Sequence, residues 1–184
     1  MDWEQKIREW GDKFGRDVLE RARRNLGASQ KVKEGDKYRV RRRVASGRLK
    51  DSLLYKMNVK KGALEILFTT SDDTQSYAGV IEYGRRAGAK QPPPEAIKKW
   101  IKEKNVRLRK IKVVNGNKVS TFVPTTEKNL NSAAFLMGRA ISRRGIMGIK
   151  YYENAILDAI DDLTPDDLDE FIEALDLILG ESIK

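Results

Sequence analysis

The 184-residue chain contains neither cysteine nor histidine, which removes most protein chemistry before any motif is considered. There can be no disulfide, thiol nucleophile, imidazole base, or zinc site built on cysteine or histidine. A metal would need an all-oxygen ligand set, and acid–base work would fall to carboxylate, lysine or tyrosine. The most conspicuous carboxylate is Glu82, set between an aromatic and a glycine turn, with Arg85 and Arg86 immediately after it. Its economical role is a buried or interfacial ion pair with one of those arginines rather than catalysis. Gly84, Gly88 and the Gly145 and Gly148 pair lack the strand-loop-helix setting and the lysine-serine pair of a phosphate loop. The scattered acids form no nuclease or muramidase pattern. The expectation is a non-enzyme with no cofactor and no metal.

What remains is electrostatics. In the run from Lys37 to Val44, strand alternation places Tyr38, Val40 and Val44 on one face and Arg39, Arg41 and Arg43 on the other. With Arg42 these make four guanidinium groups in five positions, and burying them would require a paired acceptor for each. Two readings follow: an exposed edge strand kept from aggregating by its charge, or an arm that meets phosphate or an acidic partner.

The net charge of +10 is unevenly spread. From Asp158 onward there are ten acids and one base, a net −9, which leaves +19 on residues 1–157. Such polarity orients partners and attracts polyanions. An apolar share of 40% beside a charged share of 35% fits one domain-sized core with a heavily charged surface. No run approaches the roughly 18 to 20 apolar residues of a membrane span, and the amino terminus does not read as a signal peptide. The chain is therefore expected to be made and used in the cytoplasm, or in something assembled there.

Periodicity supplies the elements. Trp3, Ile7, Trp10, Phe14, Val18, Ala22 and Leu26 predict an amphipathic helix over 2–26 stopped by Gly27, with Gly11 and Gly15 each weakening it by about 1 kcal/mol relative to alanine. Its exposed arginines lie among acids, as on a solvated face. A short helix at 46–53 feeds strands at 54–59 and 63–69, joined by Lys60-Lys61-Gly62. Asp72 and Asp73 start a helix whose apolar face is Tyr77, Val80 and Ile81, closed by Tyr83-Gly84. Prolines 92 to 94 stiffen the entry to a helix over 95–104 with Ile97, Trp100 and Ile101 inward. Strands at 108–114 and 118–123 flank the Asn115-Gly116 turn, forming either a projecting hairpin with one basic face or a half-exposed meander. The helix over 129–142 is expected to pack Ala133, Phe135, Leu136, Ala140 and Ile141 inward and to end at Gly145. Tyr151, Tyr152, Ala155, Ile156 and Ala159 build the next helix. Thr164-Pro165-Asp166-Asp167 starts an acidic one with an apolar face of Leu168, Phe171, Ile172, Leu175, Ile178 and Leu179.

Four segments, taken in order, carry a resemblance: Ser46-Gly47-Arg48-Leu49-Lys50-Asp51-Ser52-Leu53, Tyr77-Ala78-Gly79-Val80-Ile81-Glu82-Tyr83-Gly84, Pro92-Pro93-Pro94-Glu95-Ala96-Ile97-Lys98-Lys99-Trp100, and residues 133–146 with Gly145. In order and spacing they resemble the neck, tail-completion or head-tail joining proteins of long-tailed bacteriophages, over about residues 1–157. The resemblance implies an α+β fold, a small antiparallel sheet with hairpins flanked by helices. It also implies a closed homo-oligomeric ring of about six copies in the virion neck, assembled in the host cytoplasm. Its neighbours would be the head connector or adaptor and the tail terminator or tail tube, with genomic DNA held non-specifically in the channel and no membrane contact. The residues matched are Gly47, Leu49, Ser52, Tyr77, Glu82, Tyr83, Gly84, Trp100 and Gly145, with structural or interface roles. Residues 158–184 depart from the family pattern as an added helical extension. Its apolar face is expected to be covered, either by its own domain or, preferably, as a clasp on an adjacent subunit. The alternative function is a basic nucleic-acid-binding protein without sequence specificity, through Arg39, Arg41, Arg42 and Arg43.

Overall fold

A computed structural model describes the backbone of residues 3–34, 37–42, 47–60 and 63–182, and the side chains within them except Trp3, 29–34, 37–42, Asp72, Ala174 and 177–182. In chain order the elements are α1 (Trp3–Gly27), β1 (Ser29–Glu34), β2 (Lys37–Arg42), α2 (Arg48–Ser52), β3 (Leu53–Lys60), β4 (Ala63–Thr70) and α3 (Asp72–Tyr83). They continue as β5 (Gly84–Arg85), α4 (Pro94–Glu103), β6 (Arg109–Val114), β7 (Asn117–Phe122), α5 (Glu127–Arg144), β8 (Ile146–Met147), α6 (Tyr151–Asp161) and α7 (Pro165–Ser182). The fold is α+β as expected, and the strands of the described residues form four separate two-stranded antiparallel ladders: β1–β2, β3–β4, β5–β8 and β6–β7. Contacts group the chain into two units, Met1–Tyr83 with Ile149–Lys184, and Gly84–Gly148. This division cuts across the boundary expected at residue 157.

The first unit is organised by α1. Ile7, Val18, Ala22 and Leu26 are buried along its apolar stripe, while Trp10 and Phe14 are half-buried. Val18, Ala22 and Leu26 pack with Leu53 of β3, Ala78 of α3, and Tyr151, Tyr152, Ala155 and Ala159 of α6. Fully burying a side chain the size of Val18 or Leu26 contributes roughly 1.5 to 3 kcal/mol, so this stripe outweighs the poor helix propensity of Gly11 and Gly15. Those glycines have a positive use. A Cβ on Gly15 would lie 2.7 Å from the Tyr55 ring, and one on Gly11 would lie 2.6 Å from Met57 Sδ, so they let β3 run close against the helix. On the exposed face of α1 Arg8 pairs with Glu4 and Arg16 with Asp12, and the half-buried Arg21 pairs with both Asp17 and Asp162.

The acidic helix α7 docks on α1 of its own chain, the first of the two seats open to it from sequence. The Trp10 indole N–H donates to the Asp167 carbonyl at 2.9 Å, and the Trp10 and Phe171 rings lie 4.5 Å apart. Lys13 pairs with Asp167 at 2.7 Å, and Leu175 packs on Ile7. Its start is the expected cap: Thr164 Oγ1 accepts from Asp167 N–H at 3.3 Å while Asp167 Oδ2 accepts from Thr164 N–H at 3.0 Å. The half-exposed tryptophan at mid-stripe on α1 offers an apolar seat within the same chain, and α7 takes it.

The second unit packs α4 against α5. Ile97, Ile101, Leu108, Leu130 and Ala134 are buried together, with Met137 and Ile141 against them. The face of α5 is therefore rotated from the one expected. Ala133 and Ile141 pack inward, whereas Phe135 and Leu136 are 52% and 61% exposed and Ala140 is exposed. The helix carries two apolar stripes, and Ile97 and Ile101 select Leu130, Ala134, Gly138 and Ile141. Gly138 leaves room for Gln91, whose amide would lie 2.7 Å from an added Cβ. Trp100, expected inward on α4, is exposed. In α3 of the first unit Ile81 of the expected face packs against the core and Val80 is half-buried, but Tyr77 is exposed and the buried positions are Thr74, Ala78 and Glu82.

Candidate functional site

Glu82 is buried as expected, and the expected arginine partner is replaced by a helix terminus. Its Oε2 accepts the backbone N–H of Tyr152 at 3.0 Å and its Oε1 that of Glu153 at 2.9 Å. These are orphan donors in the first turn of α6, where a carboxylate also meets the positive end of the helix dipole. The Lys150 that precedes the helix adopts left-handed backbone, and its N–H donates to the Glu82 carbonyl at 2.9 Å. Main chain and side chain of one residue thus fix the start of α6. Sequence spacing could not reveal this, because the partners are backbone atoms 70 and 71 residues away.

A groove of about 530 Å³ opens beside Glu82, between β4, α3 and α6, lined by Phe68, Thr70, Gln75 and Ile156 among others. Tyr152 reaches into this region from α6 and donates its hydroxyl to the Thr69 carbonyl at 2.7 Å. Burial pushes the phenols of Tyr151 and Tyr152 well above their ordinary value. The other carboxylate on the groove, Glu153, accepts from Lys150 at 2.6 Å. With Glu82 committed to two N–H donors, the groove presents no pair of carboxylates free to share acid and base roles. Among the described residues no three acidic side chains converge at a spacing that could hold a metal ion.

The motif glycines are geometric. Gly84 (φ +80°) opens β5 and Gly145 (φ +73°) precedes β8, and these two short strands pair as Gly84↔Met147 and Arg85↔Ile146. A Cβ on Gly84 would lie 2.4 Å from the Ile146 carbonyl oxygen, and one on Gly145 2.4 Å from that of Arg85. Each glycine makes room for the opposite strand's backbone in a conformation that L-residues avoid. Gly47 (φ +84°) caps α2, Leu49 joins the core, and Ser52 Oγ shares a 2.7 Å hydrogen bond with Thr74 Oγ1. Tyr83 and Trp100 lie exposed, on the first and second units respectively.

The basic run occupies β2, in register with β1: Arg39↔Val32, Arg41↔Gln30, Arg42↔Ser29 and Lys37↔Glu34. Two strands replace the expected single one. Glu34 is the one acid in the ladder, against Lys31, Lys33, Lys37, Arg39, Arg41 and Arg42. Arg43 and Val44 lie outside the described residues.

A second basic surface, foreshadowed only by the alternation of Lys110 and Lys112, lies on the β6–β7 hairpin. Asn115 (φ +50°) and Gly116 (φ +76°) form its tight turn, the primed geometry that matches strand twist. Every residue of both strands is exposed, so the projecting form stands and the half-exposed meander does not. Arg109 sits 4.5 Å over the Phe122 ring and Arg107 5.9 Å from it. The whole second unit holds sixteen bases and three acids, a net +13, while the first holds twenty-one bases and twenty-four acids, a net −3. All of the chain's net positive charge thus belongs to the second unit.

On α7, Phe171 and Leu175 of the expected docking face meet α1, while Leu168 and Ile172 stay exposed. Ile178 and Leu179 continue the helix, and only their backbone is described. No described helix is long and apolar enough to cross a membrane. No protein-family model matches the chain, and no curated protein or solved structure matches it either.

Proposed function

We propose that this chain is a non-enzymatic structural component of a tailed-phage virion, a neck or tail-completion protein. It would form a homo-oligomeric ring, of about six copies, that joins the head connector to the tail around the DNA channel. The reading rests on the four ordered motifs, two of which supply glycines, Gly84 and Gly145, that the β5–β8 ladder requires. The observation that carries the assembly is the β6–β7 hairpin, exposed on both faces while bearing Ile111, Val113 and Phe122. Exposed apolar side chains rimmed by charge mark surfaces meant for a partner. Size in solution tests it. Purified, DNA-free protein should sediment as one discrete oligomer and appear as rings in negative-stain images, whereas a protein that stays monomeric at about 100 µM would reject the reading.

A second reading, a basic nucleic-acid-binding protein without sequence specificity, is favoured by the +13 of the second unit. Phosphate contact would give it affinity that falls steeply with salt. The two readings separate on assembly, because a ring formed without DNA belongs to the first and a monomer that multimerises only along duplex DNA belongs to the second. Absence of hydrolysis of DNA and peptidoglycan, with and without magnesium, would test the non-enzymatic assignment.

A further inference from the structure

The β6–β7 register places Ile111 and Val113 on one face with Phe122, which stands opposite Arg109, and the three are 65%, 67% and 58% exposed. Around them residues 104–126 hold six bases and no acid. A polyanion would satisfy the charges and leave the aliphatic side chains in water, so the surface calls for a partner that is both acidic and apolar. The chain itself carries such a surface. With Phe171 and Leu175 turned to α1, Leu168 and Ile172 stand one helical turn apart on α7, 44% and 52% exposed. Residues 165–182 hold seven acids and no base.

The geometry points to the β6–β7 hairpin of one copy docking on the outer edge of α7 of the next copy, Ile111, Val113 and Phe122 against Leu168 and Ile172, with Lys118, which stands opposite Val113 on the same face, beside Asp169. Hairpin and helix are different patches of each subunit, so the contact is head-to-tail and can close a ring. Charge complementarity sets the pairing and its orientation, while the apolar side chains supply the water-excluding centre. This inference rests on the ring reading above and names the two faces that would make its contact.

Two full-length variants test it by sedimentation velocity at about 150 mM salt, where exposed charges still act over about 8 Å. One carries Ile111→Glu and Lys118→Glu, which share the docking face of the hairpin, and the other Leu168→Glu and Ile172→Glu on α7. Each alone should be monomeric at concentrations where the wild type is fully assembled, a loss of at least about tenfold in association. Mixed in equal amounts they should stop at a dimer, because one intact hairpin meets one intact helix and no second contact is left. Either variant assembling like wild type, or a mixture that stays monomeric, overturns the pairing while a wild-type ring leaves the ring reading standing. A hairpin variant that assembles normally but releases duplex DNA assigns the hairpin to nucleic acid and overturns it too. A monomeric wild type removes both. Circular dichroism confirms folding, and Lys118→Gln and Ile172→Gln replace any variant that unfolds, with a weakening of either alone and a dimer on mixing as the expected result and wild-type assembly as the contrary one.

Discussion

The Glu82 carboxylate, near the end of α3, accepts the backbone N–H of Tyr152 at 3.0 Å at the start of α6, so a buried side chain of one helix caps another. The geometry makes Glu82→Ala expensive, since two first-turn donors of α6 lose their acceptor inside the protein. Loss of a cap together with a buried hydrogen-bond partner predicts about 2 to 3 kcal/mol of destabilisation. Glu82→Gln keeps one oxygen and loses less. Urea unfolding measures both, and a Glu82→Ala change under about 0.5 kcal/mol would show that the cap does not hold α6.

Gly84 and Gly145 should resist alanine for two reasons at once, left-handed backbone and a carbonyl oxygen 2.4 Å from the new Cβ. Gly88 has the same kind of backbone, φ +81°, and open space around it. Gly88→Ala should therefore cost about 1 kcal/mol, and either of the other two distinctly more. Equal losses at all three positions would mean that backbone conformation alone, without the strand crossing, sets the penalty.

Gly15→Ala reverses the sign expected from helix propensity. Alanine alone would stabilise a helix interior by about 1 kcal/mol, but here its Cβ meets the Tyr55 ring, whose hydroxyl is tied to the Asp12 carboxylate. A net destabilisation of about 1 to 3 kcal/mol is expected, as for overpacking. Gly11→Ala should be milder, because the clashing atom is the sulfur of a flexible methionine. A stabilised Gly15→Ala protein would place β3 further from α1 than described.

Acid should loosen α7. Lys13 and the Thr164 hydroxyl and N–H, all donating to Asp167, hold its carboxyl well below the usual carboxylate range. A depressed folded pKa means that the contribution is complete above the unfolded value of about 3.9 and drains away as pH falls through the folded one. Trp10 reports the change, because its indole N–H donates to the Asp167 carbonyl. With Trp3 and Trp100 replaced by phenylalanine, Trp10 emission should shift below about pH 4, and Asp167→Asn should flatten that limb. An identical acid midpoint in the two proteins would assign the transition to other groups.

The basic ladder makes a separate prediction. Its one acid is Glu34, opposite Lys37, so replacing Arg39, Arg41, Arg42 and Arg43 with glutamine should leave thermal unfolding unchanged while weakening DNA retention or assembly in a salt-sensitive way. Unfolding of the quadruple variant would instead make the run a structural ion-pair cluster.

By itself the sequence determined whatever depends on neighbours along the chain: the α1 stripe, the β3–β4 and β6–β7 hairpins with the Asn115-Gly116 turn, the Thr164 cap, and the α+β class. These follow from periodicity and turn chemistry, which act over a few residues. Choices among equivalent local solutions were left to tertiary structure. Phe135 and Leu136 on α5 are as apolar as Leu130 and Ala134, and only the placement of Ile97 and Ile101 decides which stripe is buried. Glu82 had arginines nearby in sequence and a helix terminus nearby in space, and a buried carboxylate takes the donors that the fold brings to it. The apolar face of α7 declares that it must be covered, but only the exposed flank of Trp10 selects α1 as its seat and leaves Leu168 and Ile172 outside. Burial is a property of the assembled chain, because the side chains that exclude water from a residue come from segments far away in sequence.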